Sequence, residues 1–175
     1  MDVRAASAGE RVTTFVVVGV VLVLLAFYVS WTAGRLDRLH ARVDASWAAL
    51  DAQLVRRAAA ARAVAAHLAD PRAGQALDVA ASAALEGTVD GREMAENDLS
   101  RALKAALPLL VHDASGDASL AELQTAATRV GLARSFHNAA VKDTRAVRLR
   151  RMPRALRLAG HRSLPQYFEI DDTTV

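Results

Sequence analysis

An all-α protein with one membrane-spanning segment is predicted by three features of the chain. These are an uncharged apolar interval near the N-terminus, apolar residues recurring every three and four positions beyond it, and hardly any strand pattern. The interval is the most direct of them. Between Arg11 and Arg35 stand 23 residues with no acidic or basic side chain, including Phe15 to Val18 and Val20 to Phe27. A helix of about 20 apolar residues crosses the hydrocarbon layer. Its apolar core exceeds that of a secretory leader, and Ser30-Trp31-Thr32-Ala33-Gly34 is a poor cleavage site. Residues 1–11 are therefore expected to form a short tail, and residues 12–34 a retained single-pass anchor in the lipid bilayer. Tyr28 and Trp31 stand where amphipathic rings meet the headgroups. Arg35, Arg38, Arg42, Arg56 and Arg57 follow the span, and positive charge resists translocation, which leans the remainder towards the cytoplasm.

The next elements follow in order. Leu36, Leu39, Val43, Trp47, Leu50 and Leu54 make one helical stripe, with Arg38, Arg42, Asp44, Gln53 and Arg56 off it, so the membrane helix is expected to continue unbroken. Alanines from Ala58 to Ala66 prolong it, towards Leu68. Asp70-Pro71 reads as stop and restart, since proline disfavours helix in the residue before it and suits the first turn after an aspartate cap. A second helix runs through Leu77 and Leu85. Gly87 and Gly91 mark a loop, and Met94, Leu99, Leu103, Ala106 and Leu110 give a third helical face that Pro108 kinks or ends.

After Val111, His112-Asp113-Ala114-Ser115-Gly116-Asp117 reads as a polar turn, and Ser119-Leu120-Ala121-Glu122 as a capping box restarting the helix. That last helix is expected to carry Leu123, Ala127, Val130, Ala133, Val141 and Val147 inward and to end near Met152-Pro153. Residues 154–175 follow as a turn and an extended tail. Together these elements predict an elongated antiparallel helical bundle over residues 35–153, with Leu39, Val43, Trp47, Leu50, Leu54, Leu99, Leu103, Leu123, Val130 and Val141 in its core.

Composition narrows the chemistry. The chain of 175 residues contains 39 alanines, which add little buried area each, so the core is modest. With no cysteine, disulfides, thiolate metal sites and a cysteine nucleophile are excluded. Beyond the span the charges nearly balance, 20 basic against 17 acidic, and two lysines among so many arginines suit a GC-rich bacterial genome.

Several motifs carry a resemblance. Val43-Asp44-Ala45-Ser46-Trp47-Ala48-Ala49-Leu50-Asp51-Ala52-Gln53-Leu54-Val55-Arg56-Arg57, just after an N-terminal anchor, resembles the signature segment of the LemA family of bacterial membrane proteins. Leu99-Ser100-Arg101-Ala102-Leu103 resembles that family's third-helix motif. Ala133-Arg134-Ser135-Phe136-His137-Asn138-Ala139-Ala140-Val141 is similar to its alanine-arginine, tyrosine-asparagine and valine pattern, and Leu164-Pro165-Gln166-Tyr167-Phe168-Glu169 to its closing pattern. Val43, Asp44, Trp47, Asp51, Gln53, Leu54, Arg56, Arg57, Arg134, Asn138, Val141, Tyr167 and Phe168 are the positions matched. The chain departs where Ala58 to Ala66 replace an isoleucine-proline-asparagine segment, where His137 stands for the tyrosine, and where Val111 to Gly116 replace an acidic, tyrosine-proline stretch. The resemblance implies a divergent member, an anchored, elongated antiparallel bundle with a short N-terminus outside, a poorly defined molecular role, and no established catalytic residues.

Three other features bear on chemistry. Asp37, Asp44 and Asp51 recur at seven with His40 between them, a ladder of oxygen and imidazole groups that reads more simply as a solvated face among arginines. His67, His112, His137 and His161 are scattered outside any catalytic spacing; His137 reads as a packing histidine and Trp47 as a core aromatic. From Lys142 to Arg162 basic residues dominate, and Arg145, Arg148, Arg151, Arg154 and Arg157 form a candidate contact for anionic lipid or an acidic membrane or envelope protein. Without interleaved aromatics or a binding module, nucleic acid is not the expected partner. The sequence thus predicts a non-enzymatic interaction or scaffold module at the bacterial membrane, without catalytic residue, metal or cofactor. The competing class is a membrane-bound enzyme or metal-binding protein drawing carboxylates and histidines from several helices.

Overall fold

The computed structural model describes the backbone of residues 3–88, 91–111, 114–149 and 163–171, and among them the side chains of Arg11 and of residues from Thr13 onward. Helix dominates. In chain order α1 is Val3–Ala65, α2 Pro71–Glu86, α3 Arg92–Ala106 and α4 Ala114–Arg148, with a 3-10 turn at Leu107–Leu109. Strand pairing among the described residues is confined to an isolated antiparallel bridge between Leu68 and Leu110.

Local chemistry sets most of these boundaries. From Arg35 to Ala65 the chain has neither glycine nor proline, and alanine, the best helix former, dominates its last two turns. α1 ends at Ala65, short of Leu68, because His67 and Ala69 take up the bridge: Val111 N–H donates to the His67 carbonyl at 3.0 Å and Ala69 N–H to the Leu109 carbonyl at 2.9 Å. Asp70 caps α2, its carboxylate accepting from Arg72 N–H at 3.0 Å with Pro71 at the first position. Gly74 is buried in α2, and a Cβ built there would stand 2.8 Å from the Ala65 carbonyl oxygen. Only the smallest residue allows that approach. Gly91 flanks α3 on its N-terminal side, and Pro108 sits in the 3-10 turn that follows it.

The expected start of the last helix is corrected. The last helix starts at Ala114, so Ser119 and Glu122 lie inside it and form no capping box. Gly116 is buried there, and packing outweighs the roughly 1 kcal/mol that glycine costs a helix interior. At its other end α4 stops at Arg148 with Leu149 in a turn, while the expected stop at Met152-Pro153 lies outside the described residues.

The contacts form two compact units, Met1–Ala41 with Thr144–Leu164, and Arg42–Asp143 with Pro165–Val175. In the first, Leu36 and His40 of α1 and Thr144 and Val147 of α4 are buried, and Thr144 Oγ1 donates to the Leu39 carbonyl at 3.4 Å. The second holds the larger core. Ala58, Ala61 and Val64 pack with Leu77, Ala81 and Ala84 of α2, Leu99, Leu103 and Ala106 of α3, and Leu123 and Ala126 of α4. Leu50 and Leu54 pack with Val130, Phe168 and Ile170, and Val43 with Ala140 and Val141. Leu39 is only half-buried, Trp47 is half-buried but packs against the Leu50 and Leu54 cluster, and Met94, expected on the apolar face of the third helix, is 68% exposed.

Candidate functional site

Two surfaces carry functional weight: the apolar length of α1, and the place where residues 165–171 lie on the second unit. Along the first, large side chains face outward on every side. Phe15 is 75% exposed and Phe27 71%, and Val16, Val20, Leu22, Val23 and Leu24 are exposed with them. Nothing in the most apolar window is buried, and it is long and apolar enough to cross a membrane or to serve as a signal sequence. At its end Arg35 stacks over the Trp31 ring at 5.9 Å, a cation above an aromatic face.

The second surface is built on charged residues inside the core. The buried stripe of α3, followed back from Ala106 through Leu103 and Leu99, reaches Glu96 and then Arg92. Glu96 is 0% exposed and Arg92 4%. Arg92 lies between two carboxylates, with Nη2 3.0 Å from Asp51 Oδ1 and Nε 3.6 Å from Glu96 Oε1, and it also donates to the Gly87 carbonyl at 3.3 Å. Arg57, equally buried, donates from Nη2 to Ser100 Oγ at 2.5 Å and to the Glu96 carbonyl at 3.5 Å. Burial pushes the Glu96 carboxyl up to about 7; Arg57 and Arg92 hold it down against that, while Asp51 adds to the rise.

This network continues into the tail. Ser100 Oγ lies 2.7 Å from the Asp171 carbonyl and 3.0 Å from the Glu96 carbonyl, both acceptors for its single proton. Asn97 Oδ1 accepts from Asp171 N–H at 2.9 Å, and Glu93 Oε1 from Glu169 N–H at 2.8 Å. From α4, Asn138 takes both main-chain groups of Phe168, accepting from its N–H at 2.9 Å and donating to its carbonyl at 3.1 Å. The Phe168 ring meets Trp47 edge-on at 5.4 Å, and Trp47 meets His137 likewise at 5.5 Å. His137 is buried, with Nδ1 3.2 Å from Ser46 Oγ and a hydrogen bond to the Gln166 main chain. Burial lowers its pKa, against that hydrogen bond.

Of the positions matched by the resemblance, the structure brings together Trp47, Leu54, Asn138 and Phe168 around the tail, and Asp51 and Arg57 around α3. Val43 and Val141 share a separate apolar cluster. Asp44, Arg56 and Tyr167 are exposed, and Gln53 and Arg134 half-buried. The basic cluster is described only at its start: Arg145 and Arg148 are half-buried, and Arg148 donates to the Ser163 carbonyl at 2.5 Å. Arg151, Arg154 and Arg157 lie outside the described residues. Of the acid ladder, Asp51 pairs with Arg92, and among the described residues no three His, Asp or Glu converge as a metal-binding group would.

Arg92, Glu93, Glu96 and Asn97 were missed by the sequence reading. A signal was present, since the stripe of Leu99, Leu103 and Ala106 extends by helical spacing to positions 96 and 92, whereas Met94 lies off it. Comparison of the chain with protein-family models, with curated proteins and with solved structures gave no match. Function is therefore read from its own residues.

Proposed function

We propose that this chain is a single-pass, membrane-anchored helical protein of the LemA type, acting as a non-enzymatic interaction or scaffold module at a bacterial membrane. The observation that carries the reading is the uncovered apolar length of α1: aliphatic and aromatic side chains exposed all round a helix are costly in water and favourable in hydrocarbon. Residues 12–34 are the anchor, and the arginines after it favour a cytoplasmic remainder. The LemA assignment rests on the ordered motifs from Val43 to Phe168.

The remainder is read as an antiparallel bundle. What supports this is the order of contacts between α1 and α4: Val43 with Ala140 and Val141, Leu50 and Leu54 with Val130, and the Ala58 to Val64 segment with Leu123 and Ala126. The non-enzymatic reading draws on the use of the buried charges. Arg92, paired with Asp51 and Glu96, and Arg57, bonded to Ser100, tie α1 to α3, and Ser100 carries the network on to the tail at the Asp171 carbonyl. The segment from Arg145 to Arg157 offers an electrostatic contact to anionic headgroups or an acidic protein, each exposed arginine contributing about 1 kcal/mol near an anionic surface.

In-cell crosslinking of the intact anchored chain, read by mass spectrometry, tests the proposal. A small, reproducible set of membrane or envelope neighbours is expected, and it should disappear when residues 12–34 are deleted. A neighbour set indifferent to that deletion contradicts it. Changing Arg148, Arg151, Arg154 and Arg157 to glutamine should lower retention on anionic vesicles or remove particular neighbours; no change in either assay assigns the cluster no binding role.

A further inference from the structure

We propose that Arg35 and Arg38 of α1 and Arg145 and Arg148 of α4 form one site for the phosphate groups of anionic phospholipid, in the leaflet where the apolar length of α1 ends. This deepens the membrane reading, on which it rests, by bringing the end of α4 to the bilayer surface and by choosing lipid over an acidic protein. All four arginines belong to one compact unit.

Burial marks where the bilayer surface falls. Along α1 large side chains stay uncovered through Phe27, 71% exposed, and Trp31, 53%; burial begins at Thr32, 4% exposed, and continues at Leu36 and His40. The change occupies a single turn. Both arginines of α1 reach back towards it, as side chains leaning to the N-terminus of a helix do. Arg35 lies over the Trp31 ring at 5.9 Å, and Arg38 Nη1 stands 3.7 Å from where a Cβ on Gly34 would be. Each guanidinium thus sits beside a residue one turn nearer the anchor.

The second pair comes from α4. Thr144 Oγ1 donates to the Leu39 carbonyl at 3.4 Å, and Val147 is buried in the same unit as Leu36. On the antiparallel reading Arg145 then stands level with Arg38, and Arg148 with Arg35. Arg35 and Arg38 are exposed, and Arg145 and Arg148 half-buried. Opposing charge is scarce. From Thr144 to Leu164 the sequence has seven arginines and no acidic residue, and Asp37 is the single acid from Arg35 to Ala41. The five arginines of that stretch beyond Arg148 lie outside the described residues and are not part of the site. A guanidinium fork matches phosphate oxygens, and an embedded anchor keeps a phosphate-rich surface beside these four groups at all times. An acidic protein would have to displace that surface.

The test uses the full chain in neutral detergent with equal amounts of phosphatidylglycerol and phosphatidylcholine, and native mass spectrometry reads which lipid stays bound. Phosphatidylglycerol should be retained in preference. Changing all four arginines to glutamine should lower the ratio at least about fivefold, the factor expected of one arginine at an anionic surface. The same change at Arg56, Arg72, Arg101 and Arg129, which are exposed in the other unit, should leave the ratio as it was. Absence of preference in the unaltered chain, or equal loss from the two sets, overturns the proposal. Displacement of the lipid by excess inorganic phosphate would assign the site to free phosphate and overturn the lipid assignment.

Should the fourfold variant lose its helical circular dichroism, depth in bilayer nanodiscs decides, since the cysteine-free chain accepts single labels. A fluorophore at Ala146→Cys, exposed between the two arginines of α4, should be quenched by lipid with a nitroxide headgroup; one at Gln124→Cys, about 30 Å back along the helix, should not. Equal quenching at both positions overturns the site, and absence of quenching at 146 overturns it in favour of an acidic protein. A chain that stays out of the nanodiscs overturns the membrane reading and this site with it, whereas a chain that enters them and fails the other comparisons overturns the site alone.

Discussion

One helix, α1, is written in two dialects. From Thr13 to Trp31 it carries phenylalanine, valine and leucine on every side, and the large residues are exposed. From Arg42 to Ala65 large apolar residues keep mainly to one face, Val43, Leu50, Leu54 and Val64 buried, while Ala45, Ala48, Ala52 and Ala59 face outward. Both lengths are apolar by composition. What separates them is whether the large apolar residues keep to one packed face or surround the helix uncovered.

The sharpest way to break that contrast is to remove the same group from each length. Leu50→Ala deletes a fully buried side chain from the core beneath the tail and should cost about 2–5 kcal/mol, read as a lower unfolding midpoint. Leu24→Ala removes an exposed one and should leave that midpoint unchanged. Equal shifts would mean that the two lengths do not differ in their surroundings.

The charged interior sharpens the contrast through pH. Glu96 ionises near 7 in the folded chain and near 4.5 unfolded, so between those values the folded state holds a proton that the unfolded state has released. Stability should therefore fall as pH rises through this window, by at most about 1.4 kcal/mol per pH unit for one proton. Glu96→Gln should flatten that part of the profile in chemical denaturation at stepped pH; an unchanged slope would remove Glu96 from the account.

Smaller effects test how α2 is held. Gly74→Ala places a methyl 2.8 Å from the Ala65 carbonyl, and overpacking of about 1–3 kcal/mol should outweigh the gain of up to about 1 kcal/mol in helix propensity, lowering the melting temperature. Asp70→Ala loses the cap of α2 and should cost about 1 kcal/mol. The smallest change is expected from Arg62→Ala, whose exposed pair with Asp78 contributes about 0–1 kcal/mol.

Where local chemistry dominates, the fold was legible. Asp70-Pro71 and the Gly87 to Gly91 interval mark boundaries by backbone preference alone, and Leu50 and Leu54 declare their burial by spacing. Legibility fails where a residue's role depends on distant partners. Hydropathy favours Met94 over Arg92 and Glu96 for the interior of α3, but Arg92 is held, buried, between Asp51 and Glu96 while Met94 is 68% exposed. Ser119 looks like a cap because its local pattern is right, yet the helix has already begun at Ala114. Asn138 shows the same limit at the candidate site: an asparagine in a helix reads as exposed or as a local backbone partner, and its actual partner, Phe168, lies 30 positions away.

The central claim, that the apolar length of α1 lies in hydrocarbon and stays attached to the helices after it, is tested most directly by membrane fractionation under alkaline carbonate, with the mass of the mature chain measured in each fraction. The account predicts an intact chain retaining residues 12–34 in the membrane pellet, and release into the soluble fraction when those residues are deleted. A soluble mature protein beginning after residue 30 would contradict it.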